Sequence, residues 1–272
     1  AGSTLADLPA LASALRMAAD DGLVDVVGAW SHMSRADDPS EAGNASTASH
    51  VRIFEEGLAI LADAGVTPRI RHLSATSGIL WHREAHYDMV RAGIGLYGLS
   101  PDPEVATSEQ LGLTPALELR APLTSVKVIE EGTPASYGGT WVAPTRRWIG
   151  LVPLGYGDGI LRAASNQARV VVHSASGPFN APLIGRVCMD QFMVDLGPAE
   201  GSPGTPTARS GQAPAIPGDI ATLFGSGIGG EALADDWAQA AGTINYEIVT
   251  HLGAHIPRIY RDGADATFGS NS

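Results

Sequence analysis

Asp88-Met89-Val90-Arg91-Ala92-Gly93-Ile94-Gly95-Leu96-Tyr97-Gly98 is the stretch on which the fold turns. Residues 88–92 read as a short strand that runs straight into a glycine-rich turn. Upstream, residues 69–73 read as a second strand and 24–30 as a third, the last stopping at polar Ser31-His32-Met33-Ser34-Arg35. Helices fill the gaps. Leu5, Leu8, Leu11 and Leu15 recur at helical spacing over 5–19, and Asp20-Asp21-Gly22 ends the segment; Val51, Phe54, Leu58 and Leu61 mark another helix, closed by Gly65. Alternating strand and helix is the pattern of a parallel sheet or barrel, and these segments supply about half of an eight-strand barrel. Residues 1–114 are therefore expected to form a partial TIM-type (β/α) barrel, in an α/β fold class.

The texture changes near Pro115. Short β-rich runs follow at 124–129, 148–154, 169–173, 183–187 and 191–196, separated by turn residues. Residues 198–217, rich in Gly, Pro, Ser and Ala, read as a mobile surface loop. A strand at 219–224, a helix at 231–241 and an extended segment at 244–260 complete the chain. Residues 115–272 are thus expected to be a β-rich domain with one helix. No internal repeat is present.

Composition agrees with a folded, turn-rich protein: of 272 residues, 44% are hydrophobic, 33 are glycine and 18 proline. A net charge of -12 repels phosphate backbones and anionic membranes, which argues against nucleic acid and membrane partners. No apolar run approaches the roughly eighteen residues that cross a bilayer, and no basic stretch followed by an apolar one opens the chain, so a cytoplasmic location is expected. Cys188, the only cysteine, sits among apolar neighbours as a small core residue would. The only lysine is Lys127, at a strand-like position. The sequence opens on Ala1 rather than methionine, as a processed or truncated chain would.

Three patterns suggest chemistry and weaken on inspection. Gly225-Ser226-Gly227-Ile228-Gly229-Gly230 fits the G-x-G-x-x-G dinucleotide fingerprint between a strand and a helix, with Glu247 downstream. A dinucleotide fold needs further strand-helix units, and only about forty residues with one helix remain, so a plain glycine turn is the competing reading. His82-Arg83-Glu84-Ala85-His86 spaces two histidines to bind zinc, but the glutamate is misplaced and an exposed loop or helix explains the stretch, so no metal is expected. Asn44-Ala45-Ser46 would be a glycosylation site only in a secreted protein.

Other stretches carry polar residues where they are costly. Arg91 follows apolar residues at a strand end, where a charge needs a partner, and a structural pairing with some carboxylate is the alternative to a functional role. The glycines behind it leave N–H groups open at a helix start, suited to a phosphate. Tyr137 in Ser136-Tyr137-Gly138-Gly139-Thr140 and Tyr156 in Gly155-Tyr156-Gly157-Asp158-Gly159 sit in small-residue turns of the kind that carry function, though either could be packing. Gly185-Arg186-Val187-Cys188-Met189-Asp190-Gln191 and Thr243-Ile244-Asn245-Tyr246-Glu247 complete the set.

Read together from about Val24 to Tyr260, these motifs resemble bacterial alanine racemase, a pyridoxal-phosphate-dependent family. The resemblance implies a barrel holding pyridoxal 5'-phosphate, a β domain that lends residues to a neighbouring subunit's site, and a homodimer. It implies interconversion of L- and D-alanine by a two-base mechanism, supplying D-alanine for peptidoglycan. Tyr137 would be one base. A phenol deprotonates unaided only near about pH 10, so it needs help, which His32 would give by hydrogen bonding from the partner chain, backed by Arg91. Arg91 would also contact the pyridine nitrogen, and a guanidinium does not readily yield its proton, so the ring would stay unprotonated and side reactions would be restrained. Tyr246, Gly93, Ile94 and a hydroxyl would hold the phosphate. Where relatives typically carry an Asn-Ser pair this chain has Ala75-Thr76, so Thr76 would stand in for the serine. Met189 and Asp190 would line the substrate carboxylate and its channel, with Tyr156 at the channel mouth.

The family's Schiff-base lysine lies on the first barrel strand, in a segment expected before Ala1, and Lys127 is not a substitute for it. The chain alone is therefore expected not to racemise alanine and to need an N-terminal companion fragment. Two alternatives stay open: a racemase of another or broader amino-acid range, and an inactive interaction module. A nicotinamide dehydrogenase is disfavoured because it has no use for Arg91, Tyr137 or Met189.

Overall fold

The computed structural model describes residues 2–199 and 213–261. The chain divides into two compact units, Ala1–Pro115 and Ala116–Ser272. The first unit contains α1 (Leu8–Asp20), β1 (Gly28–Trp30), α2 (Glu41–Asp63), β2 (Ile70–His72) and α3 (Thr76–Trp81), followed by short 3-10 turns at Arg83–Ala85 and Ile94–Tyr97. The leucine spacing puts Leu8 and Leu15 of α1 on one face, packed with buried Ala12 against Leu61 and Val66. α2 opens on Ser40, whose Oγ accepts the Gly43 N–H at 3.1 Å and so satisfies a donor that has no helical partner. Phe54 carries α2 onto Met33, Leu73 and Ala85.

β1 and β2 pair in parallel with Trp30 opposite His72. The expected third strand at 88–92 is not one. The N–H groups of Asp88 and Met89 both reach the Arg71 carbonyl, and Arg91 N–H skips to the Ser74 carbonyl at 2.9 Å. A parallel ladder would carry the donor two residues after Met89 to the Leu73 carbonyl, not to that of Ser74, so the segment runs beside β2 without joining it. α2 also begins ten residues before the apolar periodicity does, which places Asn44-Ala45-Ser46 inside a helix.

The second unit is built on β3 (Leu119–Pro122), β4 (Ser125–Ile129), β5 (Pro134–Ala135), β6 (Trp141–Val142), β7 (Arg147–Val152), β8 (Arg169–Ser174), β9 (Gly177–Ile184), β10 (Phe192–Pro198) and β11 (Ile220–Phe224). Seven of these form one sheet in the order β3-β11-β8-β9-β10-β7-β4, with every neighbour antiparallel; β5 and β6 form a separate hairpin. Of the strand expected at 183–187 only 183–184 is strand, as the end of β9, which starts earlier at Gly177; the chain leaves the strand at Gly185, whose φ is 70°. Lys127 lies exposed on β4. Most of the expected loop at 198–217, residues 200–212, lies outside the described residues.

Among the described residues two helices, not one, follow β11. α4 (Ala234–Ala241) begins three residues later than expected, and α5 (Asn245–Thr250) interrupts the segment expected to be extended. The short α5 carries no apolar periodicity of its own; buried Asn245 fixes its start by donating from Nδ2 to Asp235 of α4 at 2.6 Å. Trp237 pins α4 to the sheet: it is buried, its Nε1–H donates to the Leu223 carbonyl at 2.6 Å, and its ring meets Phe192 edge-on. Trp237→Phe strands that carbonyl and is expected to cost about 1–2 kcal/mol, read as a lower urea midpoint with an unchanged slope. No helix among the described residues is long and apolar enough to cross a membrane.

Candidate active site

In the first unit, Arg91 lies where β1, β2 and the turn after α3 meet. Its Nη1 donates to His72 Nδ1 at 2.7 Å and to the His72 carbonyl at 3.4 Å. Its Nη2 donates to the carbonyls of Ser31 and Leu73, at 2.9 and 3.1 Å, and to His32 Nδ1 at 3.1 Å. None of these acceptors is a carboxylate. The neighbouring Arg71 shows the alternative: it forks onto Asp88 at 2.8 and 3.1 Å and by those bonds holds that carboxyl down at about 2. The structural pairing weighed for Arg91 is thus what Arg71 does and Arg91 does not. Burial pulls the Arg91 pKa below its ordinary value, yet a guanidinium remains charged, so an uncompensated cation is held here by dipoles and two imidazoles.

Both histidines accept through Nδ1, so in each the proton sits on Nε2. His32, exposed two residues beyond β1, therefore presents an N–H donor outward. His72 was not among the candidates from sequence. Burial and then the Arg91 charge push its pKa below the ordinary histidine value, which keeps it neutral at pH 7.

The glycine turn behind Arg91 is arranged differently from expectation. The N–H groups of Gly93 and Gly95 are not open: both donate to Thr76 Oγ1, at 3.1 and 3.3 Å. Thr76 is buried at the start of α3, and its hydroxyl hydrogen stays available as a donor. A Cβ on Gly95 would fall 2.9 Å from Thr76 Cγ2, so threonine at position 76 requires glycine at 95. The Ile94 side chain is buried beneath the turn. The Thr76 O–H and the Ile94 N–H, on a turn whose Gly93 and Gly95 N–H groups fix the Thr76 hydroxyl, are donors with no acid beside them, a set that fits a phosphate.

In the second unit, three loops are stitched into one patch. Ser136 adopts a left-handed φ of 62°, and its Oγ donates to the Arg186 carbonyl at 2.6 Å. With Gly138 and Gly139 also at positive φ, the chain reverses so sharply that Tyr137 projects, 73% exposed. Gly155 lets the Tyr156 loop press on the third: a Cβ there would meet the carbonyls of Cys188 and Met189 at 2.3 Å, and those carbonyls accept the N–H groups of Tyr156 and Gly157 at 3.0 and 2.8 Å. Tyr156, Met189 and Asp190 are all exposed on this patch. Cys188 is half-buried, with Sγ 3.4 Å from Ser136 Oγ, and so belongs to the loop network rather than the core. Tyr246 is half-buried in α5, and three residues past that helix the chain touches the same loops, since Gly253 N–H donates to the Asp158 carbonyl at 2.9 Å.

The competing motifs resolve into structure. His82 is buried and pairs its Nε2 with the Ala36 carbonyl at 2.9 Å, while His86 Nε2 meets the Ile79 carbonyl at 3.0 Å, so each is committed to the backbone. Tyr87, which follows this stretch, is not exposed but packs edge-on against Phe54. The G-x-G-x-x-G segment leaves an antiparallel strand, and its donors are occupied by this chain's own carboxylate: Glu231 Oε1 accepts from the Ser226 hydroxyl and the Gly227 N–H, each at 3.0 Å.

Residues 1–101 match the family model for the alanine racemase N-terminal domain, and residues 116–260 match that for its C-terminal domain. The chain is 42% identical over 260 residues to alanine racemase of Salinispora arenicola, covering 95% of this chain and 63% of that protein. Among solved structures, alanine racemase from Streptomyces coelicolor superposes with a TM-score of 0.81 at 42% identity, over 94% of this chain and 61% of that one. The enzyme from D-cycloserine-producing Streptomyces lavendulae superposes at 0.82 with 40% identity, over 95% and 62%. The similarity begins at the start of the sequence rather than near Val24.

Proposed function

The chain belongs to the alanine racemase family, and on that premise we propose that it forms the arginine-and-tyrosine part of a racemase interconverting L- and D-alanine with pyridoxal phosphate. The observation that carries this reading is Arg91, a partly buried guanidinium bound only to neutral acceptors. Such a cation is costly in a merely structural role and well suited to hold a ring nitrogen as a fixed, non-acidic donor.

The chemistry supplied by the bound cofactor is withdrawal of electrons from the substrate's α-carbon, which acidifies its C–H. Arg91 would contact the ring nitrogen. Thr76, Gly93 and Ile94, joined by Tyr246, would hold the phosphate, with Thr76 giving its hydroxyl hydrogen. Tyr137 would move the α-proton on one face of the substrate in a neighbouring subunit's site, within a homodimer. The His32 Nε2–H, its tautomer set by Arg91, would steady that phenolic oxygen. Met189 and Asp190 would face the substrate carboxylate and Tyr156 the channel mouth. The sequence has only one lysine, the exposed Lys127 of β4, so the opposing base would come from the family's first barrel strand.

Two measurements test this reading. Pyridoxal phosphate should quench the intrinsic fluorescence of the chain saturably, and Thr76→Val should weaken binding roughly tenfold. Circular dichroism at a wavelength where the alanine enantiomers differ should then register racemisation once a lysine-bearing barrel segment is supplied. Non-saturable quenching, or binding equal in Thr76→Val, defeats the cofactor assignment; failure to racemise any amino acid with that segment supplied defeats the activity.

A further inference from the structure

Arg91 is held on one side by more than backbone. In the parallel register of β1 and β2, Trp30 and His72 are direct partners, and their rings stack at 5.9 Å with planes 8° apart. The Arg91 guanidinium lies 5.2 Å from the Trp30 ring centre while its Nη1 meets His72 Nδ1. Trp30 is 64% exposed, an expensive position for the largest apolar side chain on a strand of only three residues. Backbone carbonyls could satisfy a guanidinium without either ring. What they cannot do is set which nitrogen faces which histidine.

We propose that His72, braced by Trp30, is a positioning residue that captures Arg91 Nη1 through an unprotonated Nδ1 and thereby directs Nη2 onto His32. Three features converge on this. The 2.7 Å contact is the shortest that Arg91 makes, and it is to a side chain, so a substitution can remove it without touching the backbone. Stacking on Trp30 fixes the ring plane of His72, and with it the lone-pair direction of Nδ1. The planar fork of Arg91 then has no rotational freedom left: with Nη1 taken, Nη2 can meet only Ser31, His32 and Leu73. Because the Arg91 charge and burial both keep His72 neutral, the acceptor persists at neutral pH. This inference rests on the reading of Arg91 and His32 as site residues, but its test does not need racemisation.

Two substitutions divide the roles of the ring. His72→Phe keeps a ring to stack on Trp30 and removes the acceptor, whereas His72→Asn removes the ring and keeps an oxygen near the position of Nδ1. The readout on the purified chain is the rate at which phenylglyoxal modifies Arg91, followed by peptide mass spectrometry with exposed Arg52 of α2 as internal reference. Arg91 should be protected in the wild type and in His72→Asn, and roughly tenfold more reactive in His72→Phe. Equal protection in His72→Phe, or equal exposure in His72→Asn, overturns the proposal. Should the phenylalanine variant not fold, nitrogen-15 spectra of the wild-type imidazoles decide: His72 must carry its proton on Nε2 at pH 7, and a proton on Nδ1 overturns the proposal. Arg91 protected as described in a chain that does not bind pyridoxal phosphate would refute the functional reading and leave this one standing.

Discussion

Exchange of Tyr137 for phenylalanine is expected to slow racemisation in the assembled enzyme by roughly 10²- to 10⁴-fold without loosening the second unit. The variant removes one oxygen and nothing that holds the loop. Ser136, Gly138 and Gly139 set the reversal through their backbone angles, and Ser136 Oγ ties it to the Arg186 carbonyl. The Tyr137 ring is 73% exposed, so its hydroxyl contributes little to the fold of its own unit. The size of the loss follows from what a positioned acid-base group adds in a proton transfer, and it should be directional. Exchange of the α-hydrogen in deuterated water, followed by NMR from L-alanine and D-alanine separately, should collapse for the enantiomer whose hydrogen faces Tyr137 and fall less for the other. Equal small losses from both would mean that the phenol only lines the site.

Much of this was legible in the sequence, and the parts that were not share a physical reason. β1 follows an apolar run and β2 sits between Ile70 and Leu73, and the leucine spacing of α1 marks the face that meets Leu61 and Val66. The first ten residues of α2 do not, because Ala42, Asn44, Ser46 and Ser49 have no apolar period; the Ser40 cap and burial of Gly43 and Thr47 hold that turn in place. Local polarity likewise hides His72. A histidine at a strand end looks solvated until the parallel register sets it opposite Trp30 and within reach of an arginine 19 positions away. Thr76 is legible as a hydroxyl but not as an acceptor, since only the folded turn brings two glycine N–H groups to it.

The family resemblance pointed to Arg91 and His32 together because motif order carries information about pairs far apart in the chain, and the fold brings their side chains to 3.1 Å. It could not say what Arg91 rests on, and that determines its chemistry. An arginine neutralised by a carboxylate, as Arg71 is by Asp88, offers a cofactor nitrogen a weakened field. An arginine resting on imidazole nitrogens and carbonyls keeps its full charge while its direction is fixed. The same contrast separates two arginines 20 residues apart on one small unit: one is held by a carboxylate, the other by neutral acceptors.

The second large effect concerns the glycine-rich segment that imitates a dinucleotide site. Glu231 is only 4% exposed, and its Oε1 accepts from the Ser226 hydroxyl and the Gly227 N–H. Burial alone would raise its pKa, but the hydrogen bonds from the surrounding N–H groups and the Ser226 hydroxyl outweigh it and hold the carboxyl below the ordinary glutamate value. A turn built to present donors to an anion thus carries its anion covalently. Glu231→Ala is expected to cost about 2–3 kcal/mol, because two charge-assisted bonds vanish and their half-buried donors are left without this partner. Glu231→Gln keeps an acceptor but not the charge and should cost about 1 kcal/mol. The pH dependence has a definite sign. With the folded pKa depressed, the charged form stabilises the fold fully above the unfolded glutamate pKa, and that contribution is lost as pH falls through the folded value. Urea unfolding of wild type and Glu231→Gln should therefore show a gap that is constant near neutrality and closes in acid. A gap that widens as pH falls would mean that the carboxyl is protonated in the native turn and that the N–H cradle is not what holds it.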